Sequence, residues 1–188
     1  EGVIALTDEI KAESRAAVAE LRSLGVETVM LTGDNHAPAE AVAKEVGITE
    51  VKAEMLPEHK ADAVKELLAK YGVTAMVGDG VNDAPALALS SVGIAMGAAG
   101  TDTAMEAADV VIMNDDLRCI PEVIRLSRRT RAVLWQNIAL ALGIKAVFLV
   151  LAVSGSATMW MAVFADMGAS LLVVFNGLRL LRTSGIES

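Results

Sequence analysis

Gly78-Asp79-Gly80-Val81-Asn82-Asp83-Ala84-Pro85 follows the apolar run 73–77 and opens the apolar segment 86–88, so two acids and an amide sit in a glycine-rich strand-to-helix turn. A parallel strand ending in Gly-Asp-Gly can present an acid at the carboxyl edge of its sheet, where open α/β folds bind ligands, and the glycines add little crowding. Asp79 offers a hard oxygen ligand suited to Mg²⁺. Asp83 offers a second carboxylate one turn on, and Asn82 an amide able to reach a phosphoryl oxygen. A short Asp/Asn/Gly string by itself is more often a tight turn and a helix cap. The full eight-residue run favours a seat for Mg²⁺ and phosphate.

Outward from this run, short apolar stretches alternate with helical periodicity, which reads as βαβ units. Candidate strands are 3–6, 27–31, 51–53, 74–77, 92–96 and 110–113. Residues 10–24 carry Val18, Leu21 and Leu24 on one face and stop at Gly25, and Pro57 sits at the first turn of a helix over 60–69. The pattern predicts a mostly parallel sheet with helices on both faces. Thr32-Gly33-Asp34 closes one apolar run, and Met55-Leu56-Pro57-Glu58-His59-Lys60 precedes a helix. His36 and His59 lack Cys or His partners at zinc-ligand spacing and read as surface or supporting residues.

With 54% apolar residues and a mean hydropathy of +0.50, the chain is too apolar for an ordinary soluble domain of 188 residues. The excess is local. Residues 1–131 hold 22 acids against 13 Lys/Arg, whereas 132–188 hold 2 acids against 3 Lys/Arg. The acidic balance, without a basic stripe, argues against nucleic acid as a partner. A lone cysteine, Cys119, excludes an internal disulfide and fits a reducing compartment. Glu1 is followed at once by a strand-like segment with no leader pattern, so the chain is expected to begin in mid-domain.

Residues 132–153 and 157–178 are each 22 residues long with one charge apiece, Lys145 and Asp166, separated by Ser154-Gly155-Ser156. Helices of that length measure about 33 Å and can span a bilayer. Arginines at 118, 125, 128, 129 and 131 precede the first span, and Arg179 and Arg182 follow the second, which places both outer ends in the cytoplasm. Lys145 and Asp166 lie roughly 18 to 20 Å deep from those ends and can face each other at one level. An ionisable group at that depth is a functional candidate, with a structural ion pair as the plainer reading. Gln136, Asn137 and Asn176 can serve as interhelical glue.

The 78–85 string resembles the GDGxNDxP hinge motif of P-type ATPases, ion pumps whose phosphorylation domain belongs to the haloacid dehalogenase superfamily. Thr32-Gly33-Asp34 is similar to the family's TGD motif, and residues 55–60 to its LPEDK element, with His59 in place of Asp. Asn137…Lys145, Asp166-Met167-Gly168 and Asn176-Gly177-Leu178-Arg179-Leu180-Leu181 resemble the last two helices of the zinc, cadmium and lead exporting branch. The resemblance covers essentially the whole chain.

It implies an α/β fold: a haloacid-dehalogenase-like, Rossmann-type parallel sheet forming part of the phosphorylation domain, then a two-helix transmembrane hairpin. The implied segments are 1–117 for the domain, 118–131 for a basic helical linker, 132–153 and 157–178 for the spans around an extracytoplasmic turn at 154–156, and 179–188 for a cytoplasmic tail. The implied catalytic residues are Thr32, Gly33 and Asp34, Lys60 neutralising phosphoryl charge, and Asn82, with ATP as substrate. Asp79 and Asp83 would hold Mg²⁺. Asp166 would bind the transported Zn²⁺, Cd²⁺ or Pb²⁺ with cysteines of a CPC helix, and Lys145 would be its counter-ion. The resemblance also implies residence in the membrane, contact with lipid, and partnership with an actuator, a nucleotide-binding domain and the CPC helix.

The family's phosphorylated Asp lies in a DKTGT motif, and no such string occurs here, so this chain alone is expected to be inactive. Copper pumps carry a Tyr-Asn pair and a Met-Ser-Ser element that are not seen. Zn²⁺ accepts carboxylate with thiolate, whereas Cu⁺ prefers sulfur alone. Met159, Met161 and Met167 read as packing residues. The alternatives are a membrane-anchored non-catalytic module of the same fold, a Cu⁺ exporter, and a membrane-anchored phosphatase.

Overall fold

The computed structural model describes residues 10–78, 82–97, 106–114, 116–156 and 158–181. The strand expected at 3–6 and the residue Asp79 lie outside them. Two compact units, Glu1–Pro121 and Glu122–Ser188, divide the chain.

In the first unit the elements run α1 (Ala12–Ser23), β1 (Val29–Leu31), α2 (His36–Val46), β2 (Glu50–Lys52), α3 (Pro57–Tyr71), β3 (Ala75–Gly78), α4 (Ala84–Leu89), β4 (Val92–Met96) and β5 (Val110–Ile112). Each longer helix buries a stripe at helical spacing: Ala17, Val18 and Leu21 in α1; Ala39, Ala43 and Val46 in α2; Ala61, Val64 and Leu67 in α3. α2 ends at Gly47, whose φ of +90° lets its N–H and that of Ile48 both reach the Ala43 carbonyl at 2.8 Å. α3 begins with Pro57, where a missing N–H costs nothing.

The strands pair in parallel, β1 with β2 (Val29 opposite Glu50) and β3 with β4 with β5 (Ala75 opposite Val92, Ile94 opposite Val110). The single sheet expected from the sequence is thus two sheets among the described residues. Among the described residues β1 and β3 each have one partner, yet Leu31 of β1 packs on the cluster of Val64, Met76, Ala86 and Leu87, which includes β3 and both neighbouring helices. One core serves both sheets.

The second unit is a pair of helices, α5 (Cys119–Val153, 35 residues) and α6 (Met159–Leu181, 23 residues). The basic stretch read as a separate linker is continuous with the first span. No Gly or Pro occurs from 122 to 142 to interrupt it, and Pro121 sits in the first turn where it is tolerated. Both helices are long and apolar enough to cross a membrane. Their contact faces carry Asn137, Ala141, Ile144 and Phe148 from α5 and Ala165, Gly168, Ala169 and Asn176 from α6. Around the small residues of α6, Ile144, Phe148, Met161 and Phe164 line an apolar hollow between the helices. Most large side chains, among them Leu149, Phe164 and Phe175, point outward, as lipid or further helices require.

Candidate functional site

Three loops leave carboxyl ends of parallel strands, and each carries sequence-predicted residues. After β1, the Thr32 N–H extends the ladder to the Lys52 carbonyl (3.0 Å), and the loop is then fastened to the one after β2: Met55 N–H donates to Thr32 O (3.0 Å) and Glu54 N–H to Asp34 O (2.8 Å). Gly33 eases this fastening, because a Cβ there would stand a tight 3.3 Å from the Met55 carbonyl oxygen. Glu54 takes a φ of +54°, an unusual conformation for a residue with a side chain. Thr32 Oγ1 donates to Asp34 Oδ2 (2.9 Å) and accepts from the Asp34 N–H (3.1 Å). To donate to a phosphoryl oxygen, the hydroxyl would only need to rotate away from Asp34.

From this second loop α3 carries Lys60 into the site. Its Nζ donates to Asp83 Oδ1 at 2.7 Å, and the two side chains are only 16% and 11% exposed. Asp83 stands at the N-terminus of α4 but does not cap it; its backbone carbonyl accepts from Leu87 N–H, while its carboxylate turns to the lysine. The helix-cap reading of this aspartate is therefore not the one realised. Gly78 makes room for the turn, since a Cβ on it would meet Asp83 Oδ2 at 2.6 Å. The sequence reading took the glycines here as adding little crowding, and at Gly78 the geometry makes that a requirement.

Oδ2 of Asp83 and two of the three Lys60 donors make no other hydrogen bond shown among the described residues. Asn82 is exposed beside them. The donors at this edge are hard oxygens, which fit Mg²⁺, with Asp83 the described carboxylate able to contribute and Asp79 the other expected one. No three His, Cys, Asp or Glu side chains converge as a metal cluster among the described residues. His36 pairs with Glu40 on the surface of α2, 3.3 Å apart, as expected for a histidine outside the site.

In the helical unit the structure brings together the amides and leaves the charges apart. Asn176 Nδ2 donates to Asn137 Oδ1 at 2.8 Å and lies 3.4 Å from Gln136 Oε1. Lys145 and Asp166 are both exposed, and no ion pair joins them. Each lies one position beyond a contact-face residue, Ile144 and Ala165, so each is turned about 100° from that neighbour.

Parallel strands whose carboxyl ends gather a Thr-Gly-Asp turn, a helix-borne lysine and a buried aspartate define a haloacid dehalogenase-like domain, here joined to two membrane-length helices. The haloacid dehalogenase-like hydrolase family matches residues 1–90. A probable cadmium-transporting ATPase of Listeria monocytogenes is 50% identical over 96% of this chain and 26% of its own length. A zinc/cadmium/lead-transporting P-type ATPase of Escherichia coli (strain K12) is 50% identical over 96% of this chain and 24% of its own. The crystal structure of a zinc-transporting PIB-type ATPase in the E2.Pi state superposes with a TM-score of 0.86 at 48% identity, covering 93% of this chain and 28% of that one. Close homologues of the chain, matching 96% of it, are thus cadmium- and zinc-transporting P-type ATPases, and the chain spans about a quarter of the length of the curated relatives it matches.

Proposed function

We propose that this chain is the C-terminal part of an ATP-driven exporter of Zn²⁺-class cations, comprising the second part of its phosphorylation domain and its last two membrane helices. The observation that carries the reading is the Lys60–Asp83 pair, held at the carboxyl end of β3, with β1 and β3 each at the edge of its sheet among the described residues. A parallel strand placed between β1 and β3 would complete one sheet, and its carboxyl end would open beside Thr32 and Lys60. That is the place for the aspartate nucleophile.

The chemistry follows from charge. As a carboxylate oxygen of that aspartate bonds to the γ-phosphorus of ATP and the bond to the ADP oxygen breaks, negative charge spreads over three equatorial oxygens. The Lys60 ammonium neutralises it, and Asp83 holds the lysine in place at the cost of one donor. Thr32, oriented by Asp34, offers its hydroxyl to a second oxygen. When bound, Mg²⁺ would be held by the carboxylates of Asp79 and Asp83 and would supply further positive charge toward the phosphoryl oxygens. In the membrane Asp166 gives the transported ion an oxygen ligand, and Lys145 answers the carboxylate's charge when the ion has left.

The test is phosphorylation by γ-labelled ATP, across a metal panel, in the intact protein that carries this chain. Acid-stable, hydroxylamine-labile label that depends on Zn²⁺ or Cd²⁺ but not Cu⁺ is expected. No label with any metal in folded material would instead favour a non-catalytic module.

A further inference from the structure

Asn137 and Asn176 face each other across the helix pair through a 2.8 Å hydrogen bond, and this contact fixes where everything else on the two helices stands. Lys145 lies eight residues after Asn137, and Asp166 ten residues before Asn176. Because the helices are antiparallel, both steps travel the same way along the bilayer normal, by about 12 and 15 Å, so the two charges end within about 3 Å of one level. The rotations also agree. Eight residues forward and ten residues back each leave a remainder of about 80° from the Asn–Asn direction, in the same sense within each helix. In antiparallel partners, equal rotations of that kind fall on one flank of the pair, not on opposite flanks.

We infer that the Asn137–Asn176 hydrogen bond is the positioning device of the intramembrane cation site: it sets the register that puts Lys145 and Asp166 on a common flank at a common depth. The inference rests on the reading of Asp166 as the cation ligand. A slip of a single residue in one helix turns its charge by about 100° and shifts it by about 1.5 Å, which takes it off the shared flank. Gln136 Oε1, 3.4 Å from Asn176 Nδ2, belongs to the same polar contact, and further along Ile144 and Phe148 face Ala165, Gly168 and Ala169 around an apolar hollow. Among the described residues no ion pair joins Lys145 to Asp166, so the charges do not hold the register themselves. Neither asparagine touches the transported ion in this scheme, since both lie about 12 to 15 Å from the charges along the helix axes.

The experiment compares Asn137→Ala, Asn176→Ala, the double variant, Asn176→Gln and Asp166→Asn in the full-length protein. It reads Zn²⁺-stimulated ATP hydrolysis and direct Zn²⁺ binding to the purified protein. Loss of an orienting contact should raise the Zn²⁺ concentration for half-maximal stimulation roughly tenfold, with kcat little changed. The two alanine variants should be non-additive, and Asn176→Gln, which keeps the donor, should recover most of the affinity. Alanine variants that bind Zn²⁺ like the wild type while Asp166→Asn does not would overturn the positioning role and leave the reading of Asp166 intact. An Asp166→Asn variant with unchanged Zn²⁺ binding and turnover would overturn the reading and the inference with it. If an alanine variant does not fold, Asn137→Ser, which keeps an acceptor with altered reach, carries the same comparison.

Discussion

Lys60 Nζ and Asp83 Oδ1 are 2.7 Å apart, joining α3 to the N-terminus of α4 in a pocket where neither side chain is more than 16% exposed. Removing one partner leaves a mostly buried charge unanswered, which costs about 3 to 5 kcal/mol when burial is complete. Lys60→Met and Asp83→Leu are each expected to destabilise by about 3 kcal/mol, and the double variant by less than either. Thermal unfolding of the intact protein decides it; additive losses would mean the two groups do not act as a pair. All three variants should lose phosphorylation.

Gly78→Ala should disturb the same pair from the other side. The new Cβ would lie 2.6 Å from Asp83 Oδ2 and 2.9 Å from its Cβ, so the aspartate must shift. A loss of about 1 to 3 kcal/mol is expected, together with weaker phosphorylation. A variant with wild-type melting and labelling would show that the turn yields without moving Asp83.

Glu54 is the one non-glycine with positive φ among the described residues, at +54°. A left-handed residue with a side chain costs about 1 to 2 kcal/mol, and glycine's extra freedom in the unfolded chain offsets part of the gain. Glu54→Gly is expected to stabilise by roughly 0.5 to 1 kcal/mol, read as a higher melting temperature, and Glu54→Val to destabilise.

Acid should loosen the entry to α5. The Arg118 guanidinium, and then its backbone N–H, hydrogen-bond Asp116 and hold its carboxyl below the ordinary value of 3.8. The folded state therefore favours the ionised form. This contribution is complete above the ordinary carboxylate value and disappears as pH falls through the lowered one. In Arg118→Gln, protonation of Asp116 and faster amide exchange at 116–121 are expected to begin at higher pH than in wild type. An unchanged onset would count against the contact.

The two tryptophans report the bilayer frame. With Asn137 opposite Asn176, Trp160 lies level with residue 153, eighteen residues or about 27 Å from Trp135. That matches a hydrocarbon core with an aromatic at each surface. Both indoles are exposed, at 63% and 74%. In Trp135→Phe and Trp160→Phe, each leaving one indole, quenching should be stronger from shallow than from deep brominated lipids. Deep quenching of either would displace the frame.

Local chemistry made much of the fold legible. The strand at 92–96 was expected at the bounds it takes, because an apolar run between Ser91 and Gly97 leaves little choice. β1 was expected two residues too long, since Glu27 and Thr28 are compatible with a strand but find no partner. α2, over His36–Val46, drew no assignment of its own, because its alanines make a weak apolar stripe. The division into two sheets could not be read, as pairing depends on which strands are present to fill the middle. At the site, the motif residues pointed to Lys60 and Asp83 separately. Their pairing, and the turning of Asp83 away from its helix, belong to tertiary geometry.

The one-sided edges of β1 and β3 carry a hazard as well as a use. Each offers a row of backbone groups ready to accept a strand, and nothing in such a row distinguishes the proper strand from a copy of itself. An edge of that kind recruits strands wherever it is left uncovered, so whatever covers β1 and β3 also keeps copies of the molecule from joining edge to edge.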